Sequence, residues 1–329
     1  MFDTILNDSA TDEHRWANIV PEPNWRPRIE SRSVGVRFMR KPGDERLAFV
    51  PPMLPTFVAE PPEGTEWIHE IKYDGWRTQV VVDKGAARVF TRNGLDWTDK
   101  FAPVAAAALA LGHGRMILDG EMIVDGADGK PDYQKLRRVV KTWPDLMRFV
   151  GFDVLHMDGH DLTGMALDDR RDLLEDLVTP ARDSIRFSES FTGTGAGFFG
   201  AVDRMGLEGM VSKQADSIYE SGRSRAWLKI KSYAEETYDI IGVQREPGRP
   251  AMVLMADNGR YVGGAFVTQP RGVRERLWER VQAKTEAPAP AGLKAAKAEW
   301  VKPGLRGRVK FLKGEETLRH ASLQEWSED

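Results

Sequence analysis

The amino-acid sequence predicts an α+β protein in which a long mixed segment gives way to a small C-terminal β-barrel. Three observations carry that expectation. Between Glu66 and about residue 235, strand-like alternation is interrupted by two helix-like stretches. Beyond residue 235, short strands return with a single helix among them. The chain has 329 residues, enough for two domains of ordinary size, and is 41% hydrophobic and 29% charged, a globular composition.

The elements follow in order. Residues 1–47 carry Pro21, Pro23 and Pro27 among Arg26, Arg28, Arg32, Arg37 and Arg40, with little periodicity. They read as an irregular extension. Trp67 to Tyr73 and Thr78 to Val82 read as strands, and Asp83-Lys84-Gly85 as a turn into Arg88–Thr91. The alanine-rich run Thr98 to Leu111, closed by Gly112, predicts a helix. Met116–Val124 and Arg148–Leu155 are apolar strands, and Leu167–Leu177 has helical spacing. Val211 and Trp227–Lys231 complete the first segment. Tyr238–Val243, Met252–Met255 and Tyr261–Val267 are further strands, with Asp257-Asn258-Gly259 as a hairpin turn. Arg271–Gln282 predicts a helix, Lys284–Ala298 a loop and Arg308–Leu312 a strand. Short strands around one helix suit an OB-fold.

Composition excludes several classes. No cysteine is present, which removes disulfides, zinc–thiolate sites and thiol nucleophiles. No apolar run approaches the roughly 18–20 residues of a membrane span. The N-terminal stretch MFDTILNDSATDEHRW is too acidic for a targeting peptide. The expected setting is the cytoplasm, at the nucleoid in a bacterium, with no membrane contact. Net charge is −3 with a pI of 6.1, so any nucleic-acid binding needs a local basic face, to which Arg271, Arg274 and Arg276 are candidates. The ten tryptophans read as core rather than as nucleobase platforms.

The strongest chemical signal is Glu70-Ile71-Lys72-Tyr73-Asp74-Gly75-Trp76-Arg77, where a lysine leaves an alternating strand and enters an Asp-Gly turn. A free amine is a poor nucleophile at neutral pH because its reference pKa is about 10.4, but burial and nearby cations can release its lone pair. Taken alone, the pattern fits a solvated hairpin lysine equally well. Other segments follow in order. Arg92-Asn93-Gly94 ends a strand. Leu118-Asp119-Gly120-Glu121 puts two acids on one strand face. Phe152-Asp153 lies in an apolar strand, and Glu208-Gly209-Met210-Val211-Ser212-Lys213 sets an acid and a base around a strand start. In Trp227-Leu228-Lys229-Ile230-Lys231 the two lysines share one face.

Together and in this order, these segments resemble the nucleotidyltransferase motifs of ATP-dependent DNA ligases, and more distantly those of RNA ligases and mRNA capping enzymes. The resemblance runs over roughly residues 50–325. It is nearest to the ligase domain of bacterial ligase D, including Leu318-Arg319-His320-Ala321-Ser322. It implies an adenylyltransferase domain of ATP-grasp-like antiparallel sheets with helices over residues 48–235, then an OB-fold over 236–329. It implies that Lys72 carries AMP covalently, that Glu70 and Ile71 lie against the adenine, and that Arg77 and Arg92 hold ribose and phosphate. It implies further that Phe152 stacks on the purine, that Glu121 binds ribose or metal and Glu208 metal, that Arg223 belongs to the nucleotide pocket, and that Lys229 and Lys231 contact the α-phosphate. The implied cofactors are ATP and Mg2+ or Mn2+. The implied substrate is nicked duplex DNA in repair, joined by a monomer, with a Ku-like end-binding protein as the partner that ligase D suggests.

The rival readings are an RNA ligase, a GTP-using capping enzyme, and a non-catalytic nucleic-acid clamp. The retained nucleophile and acids disfavour the clamp. An NAD-dependent ligase is disfavoured by the lack of cysteine for its zinc module. One departure stands out. Ligase D-like chains carry an Arg-x-Asp-Lys element after the Leu-Arg-His segment, where this sequence reads Leu323-Gln324-Glu325-Trp326-Ser327-Glu328-Asp329. The resemblance then implies slow ATP-driven adenylylation, or a substitute cation such as Arg319.

The extension over residues 1–47 generates a first prediction. As an arm packed on the first domain, its deletion up to Ala48 lowers the melting temperature and both AMP labelling and nick joining together. A selective loss of nick affinity with a flattened salt dependence, labelling intact, marks it instead as a nucleic-acid arm.

Overall fold

The computed structural model describes residues 46–179, 184–246, 248–285, 287–290, 298–314 and 317–328. The extension expected over residues 1–47 therefore lies outside the described residues, apart from its last two. Strand β1 (Met53–Phe57) is followed by β2 (Trp67–Ile71), β3 (Trp76–Asp83) and β4 (Ala86–Thr91). Helix α1 (Ala102–Ala110) is entered through a 3-10 turn at Thr98–Phe101 and precedes β5 (Arg115–Val124). Next come α2 (Tyr133–Val139), β6 (Met147–Met157), β7 (His160–Asp161), α3 (Leu167–Val178), β8 (Ile185–Phe187), β9 (Ser190–Phe191) and α4 (Gly195–Arg204). Strands β10 (Gly209–Gln214) and β11 (Gly222–Lys231) end the first half. The second half holds β12 (Tyr233–Gln244), β13 (Met252–Asp257), β14 (Arg260–Val267), α5 (Arg271–Ala283), β15 (Ala298–Trp300), β16 (Leu305–Leu312) and β17 (Ser322–Glu328).

The first half is layered. One sheet has the order β1-β11-β10-β2-β9; a second has β4-β3-β5-β6-β7, with β8 beside β6. Met53, Ile68, Trp227, Val81, Ile117 and Phe152, drawn from both sheets, form one buried cluster, so the sheets pack on each other. On the outer face of the first sheet, Trp67, Met210, Leu228 and Ile230 pack against Phe198 and Phe199 of α4. On the outer face of the second, Val80, Leu118 and Phe149 pack with Val104 of α1, Leu136 of α2 and Leu174 of α3. Strand alternation makes this possible, because each strand serves a different layer with each of its two faces.

In the second half, β12 pairs with both β13 and β16. The pairings therefore run round a ring, β12-β13-β14-β17-β16, in which only β14–β17 is parallel. Ile240, Val253, Met255, Ala265, Val309 and Leu323 fill its interior, joined by Leu277 and Val281 of α5. The β13–β14 turn has Asn258 at φ 46° and Gly259 at φ 79°. Two consecutive positive φ values are what a two-residue hairpin of right-handed twist requires, and Asn-Gly supplies them at low cost.

Most expected elements are present. The sequence expectations did not include β1, α2, β7, β8, β9, α4 or β17. Helix α4 (GAGFFGAVDR) is glycine-rich and a poor helix former on propensity. It is held by the Thr194 hydroxyl, which caps Gly197 N–H, and by burial of Ala201 and Val202. Helix α2 has only seven residues and is set by the Asp132 carboxylate, which accepts from the Lys135 N–H at 2.7 Å. The expected loop over Lys284–Ala298 gives way to β15 at its last residue. Among the described residues, no helix is long and apolar enough to cross a membrane.

Helix α3 is tied to the second sheet by a fully buried ion pair. Arg170 forks onto Asp153 at 2.7 and 2.8 Å and also donates to the carbonyls of Met165 and Ser217. Both side chains are at 0% exposure. Burial pushes the Asp153 carboxyl up against the opposing pull of Arg170. Removing the acid strands a guanidinium in the core. Asp153→Ala should therefore cost about 3–5 kcal/mol in chemical denaturation, whereas a surface control such as Asp145→Ala should cost almost nothing.

Candidate active site

A cleft of about 540 Å3 opens where the two sheets meet. Its wall includes Glu70, Lys72, Asp74, Arg77, Arg92, Glu121, Phe152, Glu208, Arg223 and Lys229. Register explains the gathering. Val211 lies between Glu70 on β2 and Lys229 on β11, and Gly209 is opposite Lys231 while its carbonyl accepts from Lys72 N–H at 2.9 Å. Alternation then sets Glu70, Lys72, Val211, Lys229 and Lys231 on the face toward the second sheet. Leu228 and Ile230 take the other face, in the buried cluster against α4.

Two glycines let the backbones close in around Lys72. A Cβ on Gly75 would sit 2.2 Å from the Met122 carbonyl oxygen. Gly209 has φ 147°, and a Cβ there would fall 2.1 Å from the Ile230 carbonyl oxygen. The Asp-Gly and Glu-Gly pairs of the sequence are thus steric requirements of the strand crossing.

Lys72 forms an ion pair with Glu208, which is 5% exposed. Asp74, in the same turn, pairs with Arg319, whose guanidinium lies 4.5 Å from the Tyr133 ring centroid. Arg319 lines the cleft and comes from the second half of the chain. Arg77 commits Nε and Nη2 to Asp119, both at 2.7 Å, and lies 4.3 Å over the Phe152 ring. The Tyr219 hydroxyl donates to the same Asp119 carboxylate at 2.5 Å and accepts the Met53 N–H at 3.0 Å. Glu70 is 2% exposed and receives Arg171 and the Ser188 hydroxyl, each at 2.7 Å. Lys213 Nζ is 2.6 Å from Glu70, an ionic contact off the hydrogen-bond axis, and 4.4 Å from the rings of both Phe152 and Trp227.

The electrostatics follow from this crowding. Burial pushes the Glu121 carboxyl up to about 8; Lys72 and Arg77 oppose the rise, while Glu208 and Asp74 add to it. Burial pushes the Lys213 ammonium down to about 8 despite Glu70. Lys229 is lowered by burial and then by Lys231, Lys72, Arg223 and Arg92; Lys231 is lowered by burial and by Lys72 and Arg319, against Glu208. With Arg92, Arg223 and Lys229 in its wall and Lys231 beside them, the cleft has a cationic rim that suits an anionic ligand.

Most residues singled out in the sequence meet here. Lys231 stands beside the lining, its charge felt by Glu208 and Lys72. Ile71 reaches the cleft wall, and alternation assigns its side chain to the opposite face, so it offers backbone to the cavity. Arg223 is exposed at the rim, donating to the Pro55 carbonyl at 3.3 Å. Sequence reasoning gave no role to Asp119, Arg171 or Tyr219, because only packing brings them to Arg77 and Glu70. It quoted Lys213 within a motif without a task. No group of three or more acids and histidines suited to a metal occurs among the described residues.

Two stacked sheets enclosing a lysine–acid pair and a cationic rim define an α+β domain of the nucleotidyltransferase type. Residues 52–231 match the ATP-dependent DNA ligase domain, more than half of the chain, and the chain belongs to that family. The multifunctional non-homologous end joining protein LigD of Pseudomonas aeruginosa is 31% identical over 272 residues, covering 78% of this chain and 32% of its own length. The SPbeta prophage-derived DNA ligase-like protein LigB of Bacillus subtilis is 31% identical over 242 residues, covering 73% of this chain and 87% of its own. The solved structure of mycobacterial DNA ligase D complexed with ATP and MES aligns with a TM-score of 0.54 at 29% identity, covering 84% of this chain and 95% of that one. The chain thus spans about a third of the Pseudomonas protein.

The Glu121 environment sets a pH dependence. A carboxyl whose folded pKa is raised from 4.5 to about 8 contributes stability below about pH 4.5 that is lost as pH rises through about 8. In the ligand-free protein, the melting temperature of wild type relative to Glu121→Gln should fall between about pH 5 and pH 9. Parallel curves for the two proteins across that window refute the assignment.

Proposed function

We propose that this chain seals nicks in duplex DNA by way of a lysyl-AMP on Lys72 and a DNA-adenylate, in end-joining repair. The observation that carries this reading is the position of Lys72, in the wall of a cation-rimmed cleft beside Glu208. In the first step the Lys72 ammonium gives up a proton to solvent and its Nζ attacks the α-phosphorus of ATP; an N–P bond forms and the bond to pyrophosphate breaks. AMP then passes to a 5′-phosphate, freeing the lysine. The 3′-hydroxyl attacks that phosphate and expels AMP. Because Lys72 is held as an ion pair, nucleotide binding must draw Glu208 away before the amine can react.

The remaining roles follow from position. Phe152, under Arg77, offers its ring to the purine. Glu70, with Lys213 beside it, and the Ile71 backbone face the base. Arg77 and Arg92 serve ribose and phosphate, Arg223 the pocket rim, and Lys229 and Lys231 the α-phosphate, where negative charge grows during attack. Glu121 and Glu208 fit a Mg2+ or Mn2+ site. Glu121 is kept protonated largely by burial and by neighbouring acids, a state that a divalent cation relieves. Two carboxylates are also the usual protein share for an ion that takes its other ligands from phosphate and water. When bound, the ion supplies charge neutralisation on the polyphosphate.

The ring of five strands with one parallel pairing supports reading residues 236–329 as an OB-fold, after an adenylyltransferase domain over 48–235. That Arg319 lines the cleft beside Asp74 supports its use as a cation toward the leaving pyrophosphate. The relatives named for non-homologous end joining support a repair role; with that role go, as part of the same proposal, action as a monomer, a Ku-like partner and a cytoplasmic, nucleoid-associated setting. The RNA-ligase alternative predicts equal or better joining of RNA strands.

The test uses labelled ATP with Mg2+, followed by denaturing electrophoresis and a nicked-duplex assay. Lys72→Ala and Lys72→Arg should abolish label, arginine because its guanidinium stays protonated. Glu121→Ala and Glu208→Ala should each lose roughly 10-fold or more, the equivalent of about 1.4 kcal/mol. Label persisting in Lys72→Ala moves the nucleophile elsewhere and refutes the site.

A further inference from the structure

We propose that the surface formed by α2 and the turn after it is the track on which the flank of a nicked duplex lies; this rests on the ligase reading. A chain of net charge −3 must hold DNA through a local basic face. Of the α5 arginines that the sequence offers, Arg271 is spent on Glu275 at 2.7 Å. The α2 surface differs. Arg137, Arg138 and Lys141 are all exposed, and none has an acidic partner among the described residues. The helical turn continues past Val139, since Val140 N–H bonds the Leu136 carbonyl at 3.3 Å. Lys141 is therefore three and four residues on from the two arginines, on one face.

An apolar group adjoins these charges. Trp143 is 65% exposed although its backbone is fixed, with its N–H 2.8 Å from the Val139 carbonyl. Leu146 beside it is 43% exposed. A fixed but uncovered indole next to three unpaired cations suits phosphates on the cations and a deoxyribose face on the ring.

Continuity with the cleft favours duplex DNA over an acidic protein segment. Helix α2 begins at Tyr133, whose ring is beneath Arg319 and whose hydroxyl is 3.4 Å from Trp76 Nε1. Trp76 and Arg319 both line the cleft. Seven helical residues span roughly 10 Å, so the cations lie within about half a turn of B-DNA of the mouth, roughly 17 Å. A duplex with its nick at Lys72 that extends along α2 must cover them.

The experiment measures binding of a labelled nicked duplex by the full chain across a salt series. The variants are Arg137→Gln/Arg138→Gln/Lys141→Gln, the charge-keeping Arg137→Lys/Arg138→Lys, and Trp143→Ala. The triple variant should bind roughly 10-fold or more weakly near 0.15 M salt, and its log–log salt slope should fall by about 2–3, at roughly 0.9 per phosphate contact. Its AMP labelling should match wild type. The lysine variant should keep the wild-type slope, while Trp143→Ala should lose affinity with the slope unchanged. Wild-type affinity and slope in the triple variant overturn the proposal and leave the surface to a protein partner; so does a slope lost equally in the lysine variant. A wild-type chain that takes no AMP label refutes the ligase reading instead.

Discussion

The two sheets of the first half are knotted together by one buried charge pair, Arg77 with Asp119. Both residues belong to the second sheet, but the knot reaches across. Arg77 donates to the Met53 carbonyl of β1 at 3.3 Å and lies 5.7 Å from the ring of Trp227 on β11. Tyr219 joins Asp119 to the Met53 amide. A guanidinium can remain in such a place only with its charge matched, and the fork on Asp119 does that while the Met53 carbonyl takes a third N–H. The pair thereby fixes how closely the sheets approach at the end where the cleft opens, and holds Phe152 beneath a cation.

The cleft shows the same logic. Glu70 cannot be buried alone, so Arg171, Lys213 and Ser188 converge on it, and that convergence draws α3 and β10 to the floor of the site. Lys72 and Asp74 are nearer to solvent and hold exchangeable partners, Glu208 and Arg319. The deep pairs set geometry, and the shallow pairs are those that a nucleotide can displace. Lys313 of the second half also pairs with Asp203 at 2.8 Å, so that half is held to the first by more than Arg319.

Family membership narrows the chemistry without fixing the substrate. The match over residues 52–231 covers the layered half, α2 included, and ends before the strand ring. In the second half, Arg245 pairs with Glu299 and Arg308 with Glu235 and Glu325, whereas Arg137, Arg138 and Lys141 of the α2 surface have no acidic partner among the described residues, which makes salt dependence the informative measurement there.

By itself the sequence pointed to a mixed α+β half, a strand-rich second half and most of the residues that line the cleft. Strands and helices of strong periodicity, such as β5, α3 and the β13–β14 hairpin, are legible because each alternates or repeats along its own length. Lys72, Glu121, Glu208, Lys229 and Lys231 are legible because their spacing within short segments carries the resemblance. Elements stabilised from outside were not legible. Helix α4 is written in glycines and depends on a cap and a neighbouring sheet, and β17 needs β14 and β16 to complete a ring. The partners of buried charges were hidden for the same reason. Asp119 meets Tyr219 across 100 residues, Glu70 meets Arg171 across 101, and Asp74 meets Arg319 across 245. A sequence records which charges exist; only close packing, which excludes water from one place and admits it to another, decides which of them must pair and which stay free for a ligand.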